Sequence, residues 1–177
     1  KSSFGEVEVK SLYPYDGKIR ITVKTAGDFK FAVRIPAWCK KYNLSLNGVK
    51  VTDAAVANYV TFNRSWQNGD VIELELDMPV NVMRSNFKIT NNMGRIALMR
   101  GPVVYACESV DNPDGIANMR IDTEGGFELV SADGLPENVV AVRGKAIYEE
   151  APDTNSLYYT GNLIRKNGTF TAIPYHL

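Results

Sequence analysis

The stretch Val71-Ile72-Glu73-Leu74-Glu75-Leu76-Asp77-Met78 alternates apolar and acidic side chains after its first residue. Successive side chains of a β-strand point to opposite faces, so this period of two places the apolar residues on a buried face and the acidic residues in water. One wet face is typical of strands in antiparallel sheets. The stretch therefore predicts a half-buried strand of an antiparallel sheet.

The same alternation recurs in residues 18–24 and 29–35. Asn47-Gly48 separates two further short apolar runs, and Asn-Gly accepts the positive φ of both central positions in a type I′ hairpin turn. Helical periodicity is poor, so residues 53–58 and 137–142 are expected to form one short helical turn each. Many short strands with Gly and Asn turns predict an all-β fold with an antiparallel β-sandwich architecture.

Around Pro79 the strand pattern breaks, because proline cannot donate to a central ladder and fits the end of a strand. New apolar runs follow at residues 95–99, 103–107, 127–130 and 170–173. We therefore predict two packed sandwiches, residues 1–80 and 81–177, with one larger continuous sandwich as the alternative. Lys1 in place of Met and an apolar segment that stops at Leu177 suggest a fragment, with the second sandwich truncated at its C-terminal end.

The composition argues against partners that bind through bulk charge. Lys plus Arg number 20, and Asp plus Glu number 20. The protein therefore has no net field to attract nucleic acid or an anionic membrane, and no apolar run is long enough to span a bilayer. We expect neither nucleic acid nor membrane as a partner. The sequence leaves a cytoplasmic and a periplasmic location open.

Residues suited to nucleophilic catalysis or metal binding are scattered. His176 is the one histidine, close to the last residue, whereas Ser-His-Asp and Cys-His sites need a histidine beside the nucleophile. Cys39 and Cys107 lack the C-x-x-C spacing of zinc ligands. We expect them to be free, buried thiols, with a disulfide between them as the alternative. We predict no catalytic, cofactor-binding or metal-binding residue in this chain.

Two carboxylate pairs, Glu73 with Glu75 and Glu75 with Asp77, have the spacing that a glycosidase requires. Residues i and i+2 share a strand face at roughly 7 Å, within the range for paired catalytic carboxylates. The strict alternation nevertheless places these side chains on the wet face of their strand. Exposure removes the burial that would raise one pKa for general-acid work.

Aromatic side chains are the remaining candidates for ligand contact. Trp38, Trp66, Tyr13 and Tyr15 are possible sugar or domain contacts, because an amphipathic ring offers apolar area and a polar tip. The alternative is that these rings fill the sandwich core or cover its ends. Their spacing does not mark a binding face.

An ordered series of short motifs extends over nearly the whole chain. In order they are Tyr13-Pro14-Tyr15-Asp16-Gly17, Arg34-Ile35-Pro36-Ala37-Trp38, Asn47-Gly48, Trp66 with Gly69-Asp70, Met78-Pro79-Val80, Arg100-Gly101-Pro102-Val103-Val104-Tyr105 with Glu108, and Ala172-Ile173-Pro174-Tyr175. The series resembles the C-terminal region of family 127 glycoside hydrolases, the β-L-arabinofuranosidase family of bacteria.

The resemblance implies a catalytic domain outside this chain. Such proteins have an N-terminal α/α-barrel that holds a nucleophilic cysteine, an acid/base glutamate and a zinc bound by cysteines and a glutamate, followed by β-sandwich domains. None of those catalytic motifs is matched here, and neither Cys39 nor Cys107 lies in the family's paired-cysteine context. We therefore expect the catalytic α/α-barrel to be absent from this chain and zinc to be bound only in that barrel.

Three functions follow from the residues and the resemblance. The first is a non-catalytic β-sandwich portion of a bacterial glycoside hydrolase, which supports the catalytic barrel of the same polypeptide and can form a homodimer. The second is a carbohydrate-binding module that contacts a plant-type glycan through exposed aromatic rings. The third is a self-assembly module that makes no contact with sugar.

Overall fold

The computed structural model describes residues 5–152 and 155–177, and the regular secondary structure of these residues is almost only β-strand. All the strand pairs are antiparallel, which confirms the predicted all-β sandwich class. The helical turns predicted at residues 53–58 and 137–142 are wrong. The first segment has a non-helical turn only at residues 57–58, and the second has a turn at residues 137–138 followed by a strand that begins at Ala141. Within the described residues, the one helical segment is the 3-10 helix Thr90–Asn92. The chain divides into two compact units, Lys1–Pro79 and Val80–Leu177.

Unit 1 is a sandwich of two sheets of unequal width. Its strands are β1 (Val7–Ser11), β2 (Lys18–Val23), β3 (Gly27–Arg34), β4 (Tyr42–Leu46), β5 (Val49–Lys50), β6 (Tyr59–Trp66) and β7 (Val71–Leu76). A five-stranded sheet in the order β1-β2-β7-β4-β5 packs against a two-stranded sheet of β3 and β6. The predicted alternation holds in β7, where every second residue from Ile72 is buried and both glutamates are exposed.

Trp66 is the largest buried side chain of unit 1, with 2% of its surface exposed. The indole N–H donates to the carbonyl oxygen of Phe29 at 2.9 Å, so the polar tip of the ring is satisfied inside the core. The rings of Phe29, Phe31 and Phe62 lie 5.6–6.0 Å from the indole, centroid to centroid. Trp66, at the end of β6, is therefore the centre of the aromatic cluster on the inner face of the two-stranded sheet.

A polar bridge joins the β4–β5 hairpin to the start of β7. Asn47 and Gly48 both have positive φ, as the predicted tight turn requires. The Asn47 amide donates to the Asp70 carboxylate at 2.8 Å, and its oxygen accepts from the Val71 N–H at 2.8 Å. Asp70 also accepts the Gln67 N–H at 2.9 Å. One buried carboxylate and one amide thus tie two turns together.

We expect Asp70 to make unit 1 sensitive to acid. The Gln67 N–H and the Asn47 amide, with Arg64 nearby, lower the pKa of the Asp70 carboxyl below its ordinary value of 3.8. A carboxyl with a lower pKa in the folded protein adds stability above pH 4 that is lost as the pH falls through the folded pKa. In Asp70→Asn, the free energy of unfolding at pH 7 should therefore be smaller and should fall less on acidification.

Urea unfolding between pH 7 and pH 2 measures this effect. Asp53→Asn, an exposed change in a loop of the same unit, serves as the control and should follow the parent chain. An Asp70→Asn curve parallel to that of the parent chain over the acid range would contradict the assignment.

Unit 2 is one strongly curved sheet that closes over its own core. Its strands are β8 (Val80–Arg84), β9 (Ile96–Arg100), β10 (Val103–Ala106), β11 (Met119–Ile121), β12 (Phe127–Val130), β13 (Ala141–Glu150) and β14 (Ile164–Pro174). The order is β11-β13-β14-β10-β9-β8, and β12 also pairs with β13. Val82 from one end of the sheet and Ile121 from the other pack against the same buried cluster. The curvature therefore produces the sandwich.

Asn112 fixes a loop of unit 2 to the edge of β14. Its side chain is 2% exposed, and its amide donates to the carbonyl oxygens of Glu108 and Thr171 at 2.7 and 2.9 Å. The Asn112 side-chain oxygen accepts from the Thr171 N–H at 2.9 Å. The side chain thus pairs with β14 as a neighbouring strand would, and no part of the amide is buried without a partner.

Gly144 makes room for two aromatic rings in the unit 2 core. It lies opposite Phe127 in β12 and Phe170 in β14, and the two rings meet edge to face with centroids 6.2 Å apart. A Cβ at this position would lie 2.7 Å from Cε1 of Phe170 and 3.1 Å from Cδ1 of Phe127. The absence of a side chain is therefore required by packing.

We expect Gly144→Ala to lower the free energy of unfolding by about 1–3 kcal/mol, the usual cost of forcing an extra methyl into a filled core. Lys145→Ala, on the exposed face of the same strand, should change it by less than about 0.5 kcal/mol. Urea denaturation of both variants measures the difference. Equal midpoints for Gly144→Ala and the parent chain would show that the rings do not occupy this space.

Candidate functional site

The structure places the four aromatic candidates in different environments. Trp66 is in the core and has no ring face available to a sugar. Trp38 is half-buried and packs against the core of unit 1. Tyr13, 41% exposed, and the half-buried Tyr15 lie in the turn between β1 and β2. Tyr13, Tyr15 and Trp38 thus retain a surface for contact, whereas Trp66 acts as a core residue.

The acidic side chains of β7 lie on the outer face of the five-stranded sheet. Glu73 accepts from the guanidinium of Arg20 at 2.5 Å and from the Ser45 hydroxyl at 3.5 Å, and Glu75 accepts from the Asn43 amide at 3.5 Å. Both glutamates are exposed, which confirms the solvated-face interpretation. Both carboxylates lie on the solvated face of one strand, and apolar groups do not enclose either of them as they often enclose a general acid.

A shallow depression of about 590 Å³ lies over this polar face. Cations, carboxylates and amides surround it, and aromatic side chains are missing from its lining. Its lining residues are Lys10, Lys18, Ile19, Arg20, Asn43, Leu44, Ser45, Gly48, Lys50, Glu73, Leu74 and Glu75. The depression offers hydrogen bonds and charge to a ligand, but it has no ring on which a sugar can stack.

Both cysteines are free, as predicted. Cys39 is buried and its thiol donates to the Lys41 carbonyl oxygen at 2.9 Å, while Cys107 is half-buried instead of fully buried. Burial raises the pKa of the Cys39 thiol. Burial, with Asp111 nearby, raises the pKa of the Cys107 thiol to about 11. Neither sulfur is a thiolate near neutral pH, and the thiolate is the nucleophilic and metal-binding form.

Among residues 5–152 and 155–177, no three His, Cys, Asp or Glu side chains come together as a set that fits a metal ion. Within the same residues, no helix is long and apolar enough to cross a membrane.

A charged cluster that no sequence motif indicates lies on β11, β13 and β14. Glu149 accepts from Arg120 and from the Nε and Nη2 atoms of Arg165, the latter two at 3.1 Å. Arg120 first, and then Arg165, hold the pKa of the Glu149 carboxyl below its ordinary range. Glu149 and Arg165 are direct cross-strand partners, a pairing that needs the β13–β14 register.

Two family models match successive parts of the chain. Residues 3–78 match the middle domain of β-L-arabinofuranosidase, GH127, and residues 80–177 match the glycoside hydrolase family 127 C-terminal domain. The chain belongs to glycoside hydrolase family 127. The order of motifs noted in the sequence therefore identified the family correctly.

Family 127 relatives of known structure or activity match this chain along almost its whole length. A non-reducing end β-L-arabinofuranosidase of Bifidobacterium longum subsp. longum is 32% identical over 96% of this chain and 28% of its own length. The crystal structure of a GH127 β-L-arabinofuranosidase from Geobacillus stearothermophilus T6 is 34% identical, with a TM-score of 0.85 over 96% of this chain and 28% of that one. A solved glycoside hydrolase, 31% identical, has a TM-score of 0.82 over 96% and 29%. The family 127 chain thus spans about 28% of the length of its curated relative.

We expect Cys107 in this family 127 chain to react slowly with alkylating agents. With a pKa of about 11, only about 0.1% of the thiol is ionised at pH 8. The rate of iodoacetamide alkylation should therefore keep rising about tenfold per pH unit up to pH 10. The Cys39→Ser variant isolates the Cys107 signal, and the same variant in urea supplies the reference for an exposed thiol. A rate that levels off near pH 8 in the folded chain would contradict this prediction.

Proposed function

We propose that this chain is a non-catalytic β-sandwich portion of a bacterial, β-L-arabinofuranosidase-like glycoside hydrolase and that it supports the catalytic barrel of the same polypeptide. The observation that carries the proposal is the match of its two units to the middle and C-terminal domain models, together with a span of only 28% of a β-L-arabinofuranosidase. The zinc that the family resemblance implies is assigned, within this proposal, to residues outside this chain.

The chemistry of the described side chains supports a structural role. The two thiols are protonated near neutral pH, and the β7 carboxylates are exposed beside hydrogen-bond donors. Glu149 is ionised between two arginines and so lacks the raised pKa of a general acid. Glycosidases that use two carboxyl groups need one carboxylic acid and one carboxylate across a cleft, and these glutamates do not form that arrangement.

An uncovered apolar strip on β1 supports docking of another domain. In the β1–β2 register, Val7 lies opposite Val23 and Val9 lies opposite Ile21. Val7 and Val9 therefore continue the buried face of the five-stranded sheet. Val23 and Ile21 are buried, whereas Val7 and Val9 are 38% and 57% exposed. Apolar side chains that extend a core outward mark a surface that a further part of the polypeptide can cover.

We expect Val9→Asp to destabilise the full-length parent enzyme more than this chain. A carboxylate buried at a domain contact costs about 2 kcal/mol or more, whereas the exposed strip of the isolated chain leaves it in water. Thermal unfolding of both proteins measures the difference. Lys10→Asp, on the opposite face of the same strand, is the matched control and should affect both proteins equally.

The same two proteins test the catalytic assignment. The parent enzyme should hydrolyse a p-nitrophenyl β-L-arabinofuranoside, and this chain should not. Hydrolysis by the isolated chain at a rate near that of the parent enzyme would overturn the proposal, as would equal effects of Val9→Asp in both proteins.

Formation of a homodimer is a further part of the proposal. β8 is an edge strand of the unit 2 sheet and carries Met83, which is 48% exposed. An edge strand is a surface to which a second copy can add its own strand. Light scattering on the parent enzyme decides between a dimer and a monomer.

Glycan binding through the aromatic residues named from the sequence is supported at fewer positions than expected. Tyr13, Tyr15 and Trp38 retain accessible surface, whereas Trp66 does not. These three residues therefore remain the basis of the proposal that a plant-type glycan contacts unit 1.

A further inference from the structure

Three consecutive large side chains stand in water in the loop between β13 and β14. Leu157 is 95% exposed, Tyr158 is 91% exposed and Tyr159 is 43% exposed. Isolated exposed apolar residues are ordinary, but a contiguous run of large ones marks a contact surface. Two neighbouring tyrosines are also suited to sugar, because each ring presents a flat apolar face and a hydroxyl group.

A depression of about 570 Å³ lies in the same loop. It is lined by Gly161, Asn162, Leu163 and Arg165. Gly161 has a φ of +110°, and a Cβ there would meet nothing within 4 Å, so the backbone beside the depression is open. Three residues of extended chain span at most about 11 Å, so the Tyr158 backbone lies within that distance of Gly161.

Arg165 supplies a donor that is already held in place. Its Nε and Nη2 atoms contact one oxygen of Glu149, whose other oxygen accepts from Arg120, and its side chain is 68% exposed. Glu149 therefore restrains the guanidinium group and compensates its charge, while the remaining N–H groups can donate to a ligand. A donor restrained before binding loses less entropy when the ligand arrives.

We propose that Tyr158, Tyr159, Asn162 and Arg165 form a non-catalytic binding site for a neutral oligosaccharide. The C–H face of a sugar ring stacks on a phenol ring, and the sugar hydroxyls accept from Arg165 and from the amide of Asn162. Few polar donors beside apolar rings are the usual composition of a small-ligand site. This site is independent of the docking role, because none of its residues lies in unit 1.

The test is a calorimetric titration of the complete 177-residue chain with arabinose-containing oligosaccharides. We expect saturable binding with a Kd between about 1 μM and 1 mM. Tyr158→Ala and Arg165→Ala should each weaken binding about tenfold or more. Tyr175→Ala removes a tyrosine that is 76% exposed at another position, and it should leave the affinity unchanged.

Circular dichroism and thermal unfolding show that each variant is folded before it is titrated. Absence of saturable binding up to about 10 mM sugar would overturn the proposal. Binding that survives Tyr158→Ala and Arg165→Ala would also overturn the proposal. If that binding is instead lost in Tyr13→Ala, the sugar binds to unit 1. The Val9→Asp comparison reports on docking alone, so failure of docking and failure of this site are distinguishable.

Discussion

The alternation of side chains in β7 is the constraint on which unit 1 depends. β7 lies between β2 and β4 in the five-stranded sheet, and its buried residues Ile72, Leu74 and Leu76 pack in the core shared with the two-stranded sheet. A register slip of one residue would expose these side chains and bury Glu73 and Glu75. The cost of burying two carboxylates holds the register, and the register in turn sets which residues form the polar outer face.

Unit 2 buries its apolar side chains with one curved sheet, whereas unit 1 uses two sheets. The long β13–β14 pair runs from Val142 opposite Ala172 to Glu150 opposite Ile164. Gly144 lets two phenylalanine rings meet at one end of this pair, while the pairing of Glu149 with Arg165 orders the other end. The inner face of this pair thus packs in the core, and loops, edges and outer faces are the surfaces left for recognition.

Thiol, carboxylate and amide side chains, which act in catalysis or ligand binding in many enzymes, have structural roles in this chain. The Cys39 thiol donates to a backbone carbonyl, and the Asp70 carboxylate joins two turns. The side chain of Asn112 completes the backbone pairing of Thr171. Each is satisfied by neighbours that are fixed in the fold, so it is poorly placed to exchange partners with a substrate. The contribution proposed for this chain therefore lies in the surfaces that it presents.

The sequence by itself determined the strand class, the Asn47-Gly48 hairpin and the family, because alternation, turn residues and ordered motifs are local properties of the chain. Only the tertiary structure decided which aromatic rings are accessible. Trp66 points from β6 into the core shared with the five-stranded sheet, whereas Tyr158 extends from a hairpin loop. The exposure of a ring depends on which distant element covers it, and the Glu149–Arg165 pair likewise exists only because β13 and β14 align in one register. Spacing along the chain carries neither kind of information.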